Sequence, residues 1–151
     1  MERIYSNQKA HKGSGGLGRY IQIPCSESDI LYLEQVCMMP GIHHITAPSL
    51  ASGREMIMQV LRALAWHQDV GYITLDAQSS HDIGTNITQS FQWPLDQETL
   101  ESFFINSFYY DFLLIESSPE LFAMPWIEAF EAQLMAYKID AMIPIIVIEK
   151  A

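Results

Sequence analysis

Apolar residues along the chain recur in two rhythms, one of about two residues and one of about 3.6, and stretches of the two kinds alternate. Residues 19–24 are short, β-rich and stopped by Pro24, which predicts a strand. Ser26 and Asp29 follow at the spacing of a capping box ahead of Ile30, Leu33 and Cys37, which predicts a helix. After Pro40 and Gly41, residues 42–47 read as a second strand. Residues 53–67 read as a one-faced helix with Met56, Ile57, Val60, Leu61 and Leu64 inward. Residues 71–76 are a third strand by their β-branched and aromatic content, whereas the polar stretch 78–92 has little periodicity and receives no element.

Pro94 and Asp96 open a further helical pattern, with Leu100, Phe103, Phe104 and Phe108 on one side. It leads into residues 110–116, a run apolar enough for a strand buried on both faces. Ser117, Ser118, Pro119 and Glu120 supply a cap, a first-turn proline and an acid near the positive helix end, and Pro125 marks a break or second start. The helix beyond is expected to turn Ile127, Phe130, Leu134 and Tyr137 inward and Glu128 and Glu131 outward. Residues 143–149 form the last strand, with nothing after Lys150 and Ala151 to cover it should it lie at a sheet edge. Strands alternating with helices of this length imply right-handed crossovers, hence an α/β fold in three layers: a mostly parallel sheet with helices on both faces.

Composition fits one core: 151 residues, 49% hydrophobic and 17% charged, bury a single domain well. Residues 1–19 carry Arg3, Lys9, Lys12 and Arg19 against Glu2 alone, leaving four basic residues against seventeen acids from Tyr20 onward. The expected organisation is a flexible basic tail over 1–19, kept open by Gly13, Gly15, Gly16 and Gly18, and a folded domain over 20–151. A body that acidic repels polyphosphate and anionic head groups, which excludes nucleic acid as its partner. The longest apolar run, residues 141–148, is eight long and includes Pro144, far below the roughly 20 of a spanning helix, so no membrane insertion is expected. Two cysteines, Cys25 and Cys37, do not make a disulfide scaffold, and no secretory pattern stands at the start, so a cytoplasmic location follows.

The chemistry centres on residues 48–55, Pro-Ser-Leu-Ala-Ser-Gly-Arg-Glu, which lie between a strand and a helix as a phosphate-binding loop does. Against G-x-x-x-x-G-K-[ST], Gly53 matches, Pro48 replaces the first glycine and lacks an N–H, and Arg54 replaces the lysine. Glu55 stands where a hydroxyl should hold magnesium. With these residues, with 72–76 like a second strand and with 111–116 like a Walker B strand bearing Glu116 for the aspartate, residues 40–149 resemble the ATPase core of the RecA, RadA and KaiC families. Two kinds of non-hydrolysing relative look similar in pattern: the SulA type of cell-division inhibitor with its ImuA relatives, and the N-terminal module of the cellulose-secretion regulator BcsE. The resemblance implies a bacterial RecA-like pseudo-ATPase with a degenerate P-loop, without catalytic residues or cofactor. It would act as a regulator, inhibitor or adaptor through protein contacts, as a homodimer or within a larger assembly. Its alternative implication is a weak nucleotide-binding switch using Gly53, Arg54 and Glu116.

Other constellations read as structural. His43 and His44 are adjacent in a strand and face opposite ways, so they cannot share a metal, and Cys25 and Cys37 have no ligand-spaced neighbours. Asp76, Asp111 and Glu116 lie at or near strand ends, where α/β proteins gather ligand sites, but no nucleophile elbow accompanies them. The glycine-rich residues 13–19 precede a strand, where a phosphate loop would follow one. The expected contact surface joins Arg54, Glu55, Phe91 and Trp93, because exposed aromatics concentrate interface energy.

Overall fold

The computed structural model describes residues 18–64, 69–74, 87–92, 96–106, 109–117 and 125–151, with the backbone course alone for 87–92 and 125–128. Its strands are β1 (Arg19–Tyr20), β2 (Gly41–Ala47), β3 (Val70–Thr74), β4 (Ile87–Gln92), β5 (Phe112–Ser117) and β6 (Pro144–Lys150). Its helices are α1 (Glu27–Val36), α2 (Leu50–Leu64), α3 (Gln97–Asn106) and α4 (Pro125–Ala136), followed by a 3-10 turn at Ile139–Ala141. The strands form one sheet in the order β1-β2-β6-β5-β3-β4, and every pairing is parallel.

That order explains the layering. Moving from β1 to β2 and from β2 to β3 steps one way across the sheet, while β4 to β5 and β5 to β6 steps back. Right-handed crossovers therefore place α1 and α2 on one face and α3 and α4 on the other. The core divides accordingly into two clusters. Leu33, Val36, Ile57 and Leu61 pack on Phe112, Leu114, Ile146 and Ile148, and Phe103, Phe104, Phe130 and Leu134 pack on Leu113, Ile115, Ile145 and Val147. Alternate residues of β5 and β6 thus serve opposite faces, and each such side chain contributes about 1.5–3 kcal/mol by burial.

Local signals set the ends of α1. Ser26 is its N-cap, its Oγ accepting from the Asp29 N–H at 3.1 Å. The buried Asp29 carboxylate also accepts from Arg19 Nη2 at 3.1 Å and the Gln22 N–H at 3.2 Å, tying β1 to α1. The Arg19 guanidinium lies over the Tyr32 ring, 4.3 Å from its centre. Gly18 and Arg19 therefore belong to the folded part, ahead of the boundary expected at residue 20. Residues 1–17 lie outside the described residues.

Strand β6 lies between β2 and β5, so it presents no edge to cover. Three expectations change. Strand β4 occupies part of the polar stretch that received no element. Tyr137, expected inward, is half exposed, although its ring stacks on Phe104 with centroids 5.1 Å apart. Helix α2 starts at Leu50, three residues before Gly53. Among the described residues no helix is long and apolar enough to cross a membrane.

Candidate functional site

Only Pro48 and Ser49 separate the end of β2 from the start of α2. Ser49 begins the helix: its Oγ accepts from the Ser52 N–H at 3.1 Å, and its carbonyl accepts from the Gly53 N–H at 3.1 Å. The reading of residues 48–55 as a loop is thereby corrected. A phosphate cradle needs a run of backbone N–H groups outside helix hydrogen bonding, and here the Ser52 and Gly53 N–H groups are committed to the first turn.

Gly53 has a different use. A Cβ on it would lie 2.8 Å from the Ala47 Cβ and 3.3 Å from Ile148 Cγ2, so glycine is what lets α2 settle on β2 and β6. This contact aims the next residue, Arg54, along the sheet toward the carboxyl ends of β3 and β5. There its Nη1 donates to Glu116 Oε2 and, at 3.2 Å, to the Tyr72 hydroxyl. The Tyr72 hydroxyl donates to Glu116 Oε2 at 2.5 Å, and Thr74 Oγ1 donates to Glu116 Oε1 at 2.7 Å. The Glu116 side chain is 1% exposed and that of Arg54 15%. Burial by itself would lower the Arg54 pKa, but the adjoining Glu116 carboxylate and Tyr72 oxygen hold it above the ordinary arginine value. The result is a filled, charge-compensated network on the α2 side of the sheet.

The remaining candidates are scattered. Asp111 sits at the amino end of β5, the opposite end from Glu116. Its Oδ1 accepts from the Asp69 N–H at 3.2 Å and its own N–H donates to the Asp69 carbonyl at 2.9 Å. Glu55 is exposed in α2, Phe91 lies in the edge strand β4, and Asp76 and Trp93 fall outside the described residues. His43 Nε2 meets the Met39 carbonyl at 3.0 Å, and burial pushes the ring below its ordinary pKa. His44 faces the other way, with Nε2 3.2 Å from Glu131 Oε2 of α4. Among the described residues no three His, Cys, Asp or Glu converge as a metal site. Burial raises the Cys37 thiol to about 12, so it stays protonated and inert near neutral pH.

Sequence reasoning missed Tyr72 and Thr74 as partners of Glu116. Their signal is an alternation: two polar-tipped residues at i and i+2 in an otherwise apolar strand, hence on one face. It also missed a second group on the α4 side of the same strand ends. Thr46, Glu149 and Ser117 stand side by side there, Glu149 being in register with both neighbours. All three are buried, and Ser117 Oγ and Glu149 Oε1 have no hydrogen-bond partner. Burial pushes the Glu149 carboxyl above the ordinary glutamate range, against the opposing pull of His44.

Compared with known proteins, the chain matches no family model, no curated protein and no solved structure.

Proposed function

We propose that this is a RecA-like domain that has exchanged nucleotide chemistry for protein contacts and acts as a regulator, inhibitor or adaptor. The observation carrying this reading is the Arg54–Glu116 ion pair. The two residues that would have to serve phosphate and magnesium are spent on each other, beside a strand-to-helix link of only two residues. Using either for a nucleotide would strand the other as a buried charge, at about 3–5 kcal/mol. The parallel sheet, with the Arg54-bearing helix following β2 and Glu116 next to the last residue of β5, supports the RecA-like assignment by arrangement.

Contacts with protein are supported by apolar side chains left on the surface at one edge of the sheet. Tyr20 is 49% exposed on the two-residue edge strand β1, and Leu31 is 63% exposed on the adjoining α1. Met38 joins Leu31, Tyr32 and Arg19 around a shallow groove. Anchors of this kind, rimmed by charge, are the usual material of an interface.

The test is calorimetric titration of the purified chain with magnesium-ATP at protein concentrations sensitive to millimolar affinity. The proposal expects no saturable heat. Saturable heat that Arg54→Lys weakens and Glu55→Gln leaves unchanged would establish the nucleotide-binding switch instead.

A further inference from the structure

Among the described residues, strand β1 has a neighbour on one side only. Its pairing with β2 is parallel, with Tyr20 opposite Thr46 and the Ile21 N–H donating to the Thr46 carbonyl at 2.9 Å. In such a ladder alternate residues turn their backbone groups to opposite sides. Arg19 and Ile21 therefore face β2, and the Tyr20 N–H and C=O point away from it. Open strand groups of this kind are completed by an extended chain laid alongside.

The surfaces beside that edge select the chain. Side chains of β1 alternate: Arg19 lies on the α1 face, where it holds Asp29 and covers the Tyr32 ring, and Tyr20 lies on the other, half exposed. An added strand would turn every second side chain toward α1 and the rest toward the Tyr20 ring. On the α1 face is a groove of about 400 Å³ lined by Arg19, Leu31, Tyr32, Glu34 and Met38, large enough for aliphatic side chains. Glu27, Leu31, Glu34 and Met38 follow at intervals of four, three and four residues, which sets acids and apolar side chains in turn along one stripe. Helix α1 contains no basic residue, and the Arg19 charge is already met by Asp29. An occupant must therefore bring apolar side chains interleaved with cations. A second copy of the chain does not, because a dyad at this edge would lay α1 and its acids against the same acids.

We propose that the open edge of β1, with the groove beside α1, docks an extended basic segment of a partner protein. The segment lies alongside β1 and exchanges backbone hydrogen bonds with Tyr20. Its aliphatic side chains rest on Leu31 and Met38, and its Lys or Arg side chains reach Glu27 and Glu34. The inference rests on reading the chain as a contact protein, and it gives that contact a place and a chemistry. The two fail separately: saturable heat with magnesium-ATP strikes the broader reading, whereas a chain silent to nucleotide that also binds no basic peptide strikes this one alone.

The experiment is calorimetry of the full chain with the capped peptide Lys-Thr-Leu-Thr-Lys-Thr-Leu and with its counterpart carrying Glu for Lys. Saturable one-to-one binding of the basic peptide is expected, weakening as salt is added, with no saturable response to the acidic one. Tyr20→Pro removes an N–H that β2 does not use, in an edge strand that tolerates proline, so a folded variant is expected. It should weaken binding about tenfold, as the loss of one net hydrogen bond does. Glu27→Gln combined with Glu34→Gln should weaken it severalfold. Glu98→Gln, which removes an exposed acid of α3 on the opposite face of the sheet, should leave it unchanged. Four results would each overturn the proposal: no saturable binding, equal binding by the Tyr20→Pro protein, a matching loss in Glu98→Gln from general attraction to the net charge of −10, or sedimentation showing a dimer of the chain alone that Tyr20→Pro dissociates.

Discussion

The two sides of the sheet treat buried charge in opposite ways at the same strand ends. On the α2 side, Glu116 is enclosed by Arg54, Tyr72 and Thr74, and both its oxygens accept hydrogen bonds. On the α4 side, Glu149 is nearly as buried, yet its Oε1 accepts no hydrogen bond. A satisfied network holds a fold rigid, whereas an unsatisfied one lowers stability unless something else completes it. The α2 side is therefore closed and charge-compensated, whereas the α4 side keeps a buried carboxylate oxygen without a hydrogen bond.

The largest effect should come from breaking the satisfied side. Glu116→Ala leaves the Arg54 cation buried without its carboxylate and is expected to destabilise by about 3–5 kcal/mol in urea unfolding. Gly53→Val forces a branched side chain into the space of Ala47 and Ile148, and should lose about 1–3 kcal/mol by the same measurement.

On the unsatisfied side the effect is a pH dependence. Because burial raises the Glu149 pKa above its ordinary value near 4.5, the native state resists ionisation more than the unfolded chain does. The stability linked to this group is complete below pH 4.5 and is lost as pH rises through the native value. Glu149→Gln cannot lose it, so the variant should gain stability relative to the wild type across that interval and hold the gain above it. Denaturation midpoints taken from pH 4 to 8 test this, and a difference independent of pH would contradict it. The smaller effects are those of Ser49→Ala, about 1 kcal/mol from the lost cap, and Glu55→Ala, within about 0.5 kcal/mol for an exposed helix position.

Wherever one short segment decides the outcome, the sequence was legible. Ser26 capped α1 as its spacing requires, the apolar run of β5 was buried on both faces, and Phe103, Phe104, Phe130 and Leu134 all turned inward. Strand β4 was missed because an edge strand of Thr, Gln and Ser needs little apolar content once β3 supplies its hydrogen bonds. The central position of β6 was not legible, since pairing order is fixed by contacts distant in sequence. At residues 48–55 the family pattern outweighed a local signal. Ser49 and Ser52 stand at capping distance, and that spacing already placed the helix start ahead of Gly53. Within the site, Arg54 and Glu116 were singled out separately, but their pairing needed α2 laid across β6.

The central claim is that Arg54 and Glu116 serve each other. A double-mutant cycle in urea unfolding with Arg54→Met, Glu116→Gln and the double variant, each with and without magnesium-ATP, tests it most directly. Strong coupling is predicted: each single change costly, the double change less costly than their sum by about 2 kcal/mol or more, and no shift on adding nucleotide. Additive costs within about 0.5 kcal/mol, together with a wild type that magnesium-ATP stabilises, would contradict the account.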